Sequence, residues 1–247
     1  MSIFVGEFIG TMLLILLGNG VVANTLLADS KAQNGGWIVI SSAWGFAVMV
    51  PVFVVGWISG AHLNPAVTIS LCFIGKSNWF LLPNYFLGQM LGAMAGATLV
   101  WLFFKPHWRR TQDTGKKLSC FCTQPAIRNS FWNFIAEMIA TFVLLLGILG
   151  ILDHHNEIGA GVGPIAIGFL VFSLLLSLGG ATGVAINPAR DLGPRIMHAI
   201  LPIQGKGDSD WGYSWIPVLA PIIGGTLGAV CYKYLLSGMH PLKAFIE

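Results

Sequence analysis

Two tripeptides hold most of the chemistry in this chain. Asn64-Pro65-Ala66 and Asn187-Pro188-Ala189 each set a helix-capping Asn ahead of a Pro, which suits the first helical position because its missing N–H is not needed there. Each motif predicts a helix start, and each lies inside an apolar stretch. If the two starts face one another, each contributes a partial charge of about +0.5, with the Asn64 and Asn187 amides beside them as donors. Such a meeting point repels a cation and favours the oxygen of water or an alcohol. Arg190 follows directly, a cation in a first helical turn whose dipole opposes it. A charge set against a dipole and within apolar sequence marks either function or a side chain that snorkels to the membrane surface. Asp191 suits the dipole, and a cap neighbour, an Arg partner and a direct role all fit it.

Glu7 and Glu137 stand at matching places in two other apolar segments. An ionised carboxylate in lipid is costly, so each should face inward and accept hydrogen bonds from N–H groups of the loops before the Asn-Pro motifs. That makes them structural anchors in preference to a proton relay. His62 reads as a packing residue, and the backbone carbonyls of Ala61, His62, Gly183 and Val184 are candidates to line a path as acceptors. Cys72 and Cys231 read as small apolar residues. Cys120 and Cys122 lack the two further ligands of a zinc site, and Asp153-His154-His155 reads as a solvated loop. No nucleophile elbow, phosphate loop or zinc-protease motif occurs, so the sequence implies no enzyme, no metal and no cofactor.

The elements that position these residues are membrane spans. Of 247 residues 55% are apolar and only 9% charged, against roughly 25% charged in soluble domains, and the mean hydropathy is +0.76. A net charge of +3 is too small and scattered for a nucleic-acid footprint. About 20 apolar residues cross a bilayer, which predicts spans near 5–27, 37–59, 82–104, 131–152, 162–180 and 214–236. The first reads as a span and not as a cleaved leader, because no basic region precedes it. Two stretches are too long for one helix each, and their surplus holds the Asn-Pro motifs. From Pro65 to about Ile74 a helix is roughly 15 Å long, half the hydrocarbon thickness, so two half-helices meeting at their N-termini would act as a seventh span. Irregular backbone before each is tolerable only where it is buried in protein or lines a wet cavity.

Landmarks recur in one order. Glu7-Phe8-Ile9-Gly10-Thr11 answers to Glu137-Met138-Ile139-Ala140-Thr141, Gly60 to Ala66 answers to Gly183 to Ala189, and Gly92-Ala93 with Gly96 answers to Gly224-Gly225 with Gly228. The chain therefore reads as a single channel domain, 1–247, built from repeats at about 1–104 and 131–238 and joined by a linker, 105–130. Three spans per repeat is an odd number, so the second repeat must be inverted, an architecture shared by channels and transporters. Gly88, Gly92 and Gly96, like Gly224 and Gly228, have the spacing that lets helices approach closely.

The segment from Gly60 to Val67 and that from Gly183 to Asp191 resemble the two signature loops of the aquaporin, or major intrinsic protein, family. Asp191 after Arg190 resembles the glycerol-facilitator branch. The resemblance runs from Glu7 to about Tyr234. It implies an all-α membrane protein of six transmembrane helices and two re-entrant half-helices, with a homotetramer, one pore per subunit and both termini cytoplasmic at the plasma membrane. By matching positions it implies a selectivity filter of Trp44, Leu175, Val184 and Arg190. Leu175 and Val184 depart from the Gly and Phe usual in that branch. The expected permeants are glycerol, water and other small neutral solutes, in a bed of membrane lipid. Charge bias points the other way on orientation: Lys31, the linker from Lys105 to Arg128, Arg195 and Lys206 outnumber Lys76, Lys233 and Lys243, which by the positive-inside rule puts the amino terminus outside. The loop-by-loop resemblance outweighs that statistical bias and makes the linker an outer vestibule surface. The rival class is an ion-coupled secondary transporter, which needs an intramembrane acid at its substrate site; Glu7 and Glu137 are its candidates.

Overall fold

In lipid every backbone N–H and C=O must be satisfied within its own segment or by protein, so apolar runs of span length are forced into helices. The computed structural model describes residues 2–159 and 161–237. Met1, Ala160 and 238–247, which include Lys243 and the last residue of the second repeat, lie outside the described residues. The helices are α1 (Ser2–Leu26), α2 (Trp37–Ser59), α3 (Pro65–Phe73), α4 (Leu82–Phe103), α5 (Lys105–Arg110), α6 (Thr114–Ser119), α7 (Ser130–Ile151), α8 (Val162–Thr182), α9 (Pro188–Ile200) and α10 (Ile216–Cys231). Among the described residues there is no strand, and six helices are long and apolar enough to cross a membrane. These are α1, α2, α4 with the 3₁₀ turn Trp79–Leu81, α7, α8, and α10 with the π turn Tyr232–Leu236. Each begins and ends within a few residues of its expected span.

The packing partners repeat between the halves. Helix α1 lies on α4 and α2, as α7 lies on α10 and α8; α3 packs on α10, as α9 packs on α4. Helices α2 and α8 pair with each other, and α3 meets α9. This reciprocity is what a two-fold relation between halves produces. The closest crossings depend on missing side chains: a Cβ on Gly88 would sit 2.7 Å from the Phe4 carbonyl oxygen and one on Gly96 2.6 Å from that of Met12. Gly92 opposes the Phe8 carbonyl, and Gly224 and Gly228 oppose those of Met138 and Phe142. Any larger residue there would drive α4 off α1 or α10 off α7.

The linker is more than a charged surface. Its segment after α6 is driven inward: Cys120, Phe121 and Cys122 are buried, and Asn19 Nδ2 donates to the Phe121 carbonyl at 2.9 Å. Buried Lys117 donates to the Gln204 and Gly205 carbonyls at 2.5 and 3.1 Å. Burial pushes both cysteine thiols well above their usual range; these are packing groups.

Candidate functional site

The half-helices start where the Asn-Pro pairs predict. Asn64 is extended and its Oδ1 accepts from Ala66 N at 2.9 Å; Asn187 does the same for Ala189 N and Arg190 N at 3.0 and 3.2 Å. The other end of each amide bridges the two loops. Asn64 Nδ2 donates to the Ile186 carbonyl and Asn187 Nδ2 to the Leu63 carbonyl, both at 2.8 Å. The amides therefore brace the meeting point as well as facing it, and each keeps a second N–H hydrogen, since a side-chain amide carries two donors.

Each loop is held open by a buried carboxylate. Glu7 accepts from Ser59 Oγ at 2.7 Å, His62 N at 3.0 Å, Leu63 N at 2.7 Å and Gln89 Nε2 at 2.8 Å. Glu137 accepts from Thr182 Oγ1 at 2.6 Å and from Ala185 N and Ile186 N at 2.9 Å. Both glutamates are fully buried. The loops reach them by adopting left-handed backbone at Ala61 and Leu63, and again at Val184 and Ile186, with φ between 44° and 53°. For β-branched Val184 and Ile186 that conformation is strained, and the carboxylate bonds hold it.

The consequence falls on the carbonyls. Among the described residues there is no cis peptide, and in a trans peptide the C=O points away from the N–H of the same unit. Turning the N–H groups of His62, Leu63, Ala185 and Ile186 back toward glutamate therefore turns the carbonyls of Ala61, His62, Val184 and Ala185 forward. All four residues border the same cavity. Gly183 backs onto Thr123 on its Cβ side, while the Val184 N–H turns toward Thr182 Oγ1 at 3.4 Å, which by the same rule turns the Gly183 carbonyl forward; Ala185 adds a carbonyl that the sequence did not nominate.

The cavity has a volume of about 360 Å³ and threads past both Asn residues. Its walls are otherwise apolar, with Leu14, Val48, Val67, Leu144 and Val171 prominent, and its ends carry Arg190 and Lys76. Trp44, Leu175, Val184 and Arg190 all border it. The Arg190 guanidinium stacks 4.3 Å from the centre of the Trp44 ring, and its Nη1, buried, has no hydrogen-bond partner among the described residues. A buried guanidinium nitrogen with an idle donor is primed for a ligand oxygen. His62 is a packed residue, as its sequence setting suggests: its ring lies 4.2 Å from that of Tyr85, and Nδ1 is 3.1 Å from Thr68 Oγ1.

Asp191 faces away from this chemistry. Its carboxylate takes Thr123 N and Oγ1 at 2.8 and 2.6 Å, and pairs with Arg195 at 2.8 Å, both side chains being fully buried. It joins the linker to the first turn of α9, one residue after Arg190. Of the readings open in the sequence, the Arg partner is the one observed, with Arg195 in that role. The spacing of Asp191 and Arg195, four residues apart on one helix, was the signal for it.

Two residues with no chemical signature hold the cavity walls. A Cβ on Gly18 would collide with the six-membered ring of Trp44. Trp37 Nε1 donates to the Leu175 carbonyl at 2.9 Å, and Gly179 leaves room for the Trp37 ring. Gly18→Ala should accordingly push Trp44 toward Arg190 and narrow the opening. Glycerol permeability is expected to fall at least five-fold relative to that of water in vesicles. An unchanged ratio would mean that α1 and α2 separate instead.

Two capped half-helices meeting inside a six-helix bundle, around an apolar cavity striped with carbonyls, define a membrane channel of the re-entrant-loop class. The chain belongs to the major intrinsic protein family, whose profile matches residues 1–232. It is an integral membrane protein. A probable glycerol uptake facilitator protein from Thermotoga maritima is 57% identical over 235 residues, 95% of this chain and 100% of that protein. The glycerol uptake facilitator protein of Bacillus subtilis is 50% identical over 245 residues, 99% of this chain and 88% of the other. Among solved structures, the aquaglyceroporin from Plasmodium falciparum matches with a TM-score of 0.86 at 31% identity over 96% of each chain.

Proposed function

We propose that this chain is a passive channel for glycerol, water and other small uncharged solutes. The observation that carries the reading is the make-up of the lumen: it is bordered by apolar side chains, by residues whose carbonyls turn forward, and by Arg190 with its idle Nη1. A polyol presents CH groups to one side and OH groups to the other, so it can exchange its hydration for these partners along the whole path. Trp44, Leu175, Val184 and Arg190 form the constriction in this reading. Leu175 is larger than Gly and Val184 smaller than Phe, so the opening is shifted sideways at similar cross-section. The facilitator relatives support glycerol as the permeant.

Ions are refused for an electrostatic reason. Two helix N-termini at the meeting point and Arg190 at the constriction make the lumen positive, and the Asn64 and Asn187 amides turn each passing water oxygen toward themselves, which interrupts a proton wire; exclusion by an Arg or by half-helix dipoles is the general aquaporin-type device. The carrier alternative loses its candidates, because Glu7 and Glu137 are occupied by four and three donors. In the same proposal the chain forms a homotetramer in the plasma membrane, as one domain of two inverted repeats with both termini cytoplasmic.

The test is stopped-flow light scattering on proteoliposomes under glycerol and water gradients. Flux that does not saturate and ignores proton or sodium gradients is the expected outcome; dependence on either gradient would restore the carrier. Leu175→His should depress glycerol flux by about ten-fold or more and water flux far less. Equal depression would remove Leu175 from the constriction.

A further inference from the structure

Asp153, His154 and His155 lie in the short loop between α7 and α8, and none of them takes part in the chemistry above. Their potential ligand atoms all lie within 4.8 Å of one another. Asp153 Oδ1 is the hub, 2.7 Å from His155 Nδ1 and 3.3 Å from His154 Nδ1. The two imidazoles stand side by side with ring centres 3.8 Å apart. The second carboxylate oxygen, Oδ2, accepts from the Tyr232 hydroxyl at the end of α10, and the backbone N–H of His155 donates to Oδ1 at 3.0 Å. Asp153 is therefore aimed before any ligand arrives. The imidazoles are exposed, at 82% and 48% of their side-chain surface, so water can complete a coordination shell on the open side.

We propose that Asp153, His154 and His155 form a binding site for a divalent transition metal, with Tyr232 as the residue that positions the carboxylate. Two imidazoles and one carboxylate suit zinc, copper or nickel and not the hard cations magnesium and calcium. At metal–ligand lengths near 2.0–2.2 Å, tetrahedral ligand atoms stand roughly 3.4 Å apart. The Oδ1–His154 distance already matches, the Oδ1–His155 distance has to open by about 0.7 Å, and the two imidazole ligand atoms lie within 4.8 Å of each other on exposed side chains that can adjust. The Tyr232 hydrogen bond is the outer-shell contact that orients a metal-ligating carboxylate.

Occupancy also has a place to act. Leu152, the residue before Asp153, and Pro164 border the cavity at the end that carries Lys76. A metal there ties the loop after α7 to the end of α10 and holds that mouth in one conformation. This coupling rests on the channel reading, whereas binding does not.

The experiment uses untagged full-length protein in detergent, titrated with Zn²⁺ by calorimetry and with Cu²⁺ by electron paramagnetic resonance. One ion per chain and a spectrum with nitrogen hyperfine structure are expected. His154→Ala and His155→Ala should each weaken Zn²⁺ at least ten-fold, and Tyr232→Phe about ten-fold, with metal-free melting temperatures unchanged for the two loop variants. No stoichiometric binding, or binding that survives the double His variant, overturns the site. In proteoliposomes, saturating Zn²⁺ should slow glycerol flux at least two-fold in the wild type and leave the double variant unaffected. Equal flux with the metal bound overturns the coupling to the pore while the binding result stands.

Discussion

Asp191→Ala should destabilise the protein by about 3–5 kcal/mol, the usual consequence of removing one member of a buried ion pair. Arg195 would keep carbonyl acceptors from Ser209, Asp210 and Thr123, but no opposite charge, and it is fully buried. Thr123 would lose the acceptor of both its N–H and its hydroxyl. The linker segment from Cys120 to Gln124 should then come away from α9, and with it the support behind Gly183. Detergent-titrated unfolding of the purified protein measures the loss. A double variant, Asp191→Leu with Arg195→Met, removes both charges and should recover most of the stability, because the cost lies in the orphaned guanidinium. If the single variant is as stable as the wild type, the pair is not what fastens the linker.

Glu137→Ala should have a comparable effect by another route. It leaves Ala185 N–H, Ile186 N–H and the Thr182 hydroxyl without their acceptor, each unsatisfied buried donor costing about 1–3 kcal/mol. It also frees a loop whose left-handed Val184 and Ile186 are strained without those bonds. Glu137→Gln keeps one acceptor oxygen and should fall between alanine and wild type. Glu7→Ala should be comparable: it orphans the Ser59 hydroxyl, His62 N–H and Leu63 N–H, while Gln89 Nε2 keeps Thr68 Oγ1 as acceptor at 3.0 Å. Thermal unfolding ranks the variants, and flux through the Gln variants should stay independent of a proton gradient. Normal stability with loss of a proton-driven flux would make Glu137 a relay.

What the sequence determined by itself is what local rules govern. Span length sets six helices, because lipid leaves an apolar run no other way to satisfy its backbone. An Asn-Pro pair starts a helix through contacts within three residues, so the half-helix starts at Pro65 and Pro188 were legible. The recurrence of Glu7 with Glu137, and of one loop with the other, pointed to the reciprocal packing of the helices, and an ionised group in apolar sequence announced that it must find donors. Tertiary structure alone decided which partner each group finds. Asn64 bonds the carbonyl of Ile186, 122 residues away, and Asp191 takes Thr123 from the linker. Nothing in either local sequence names the other. Ala185 joined the wall because the direction of a carbonyl follows from where the neighbouring N–H is pulled, and the Ile186 N–H is pulled to Glu137. Gly18 and Trp37 carried no signal at all. Their importance is the shape they leave for Trp44 and Leu175, and shape appears only once α1, α2 and α8 are packed together.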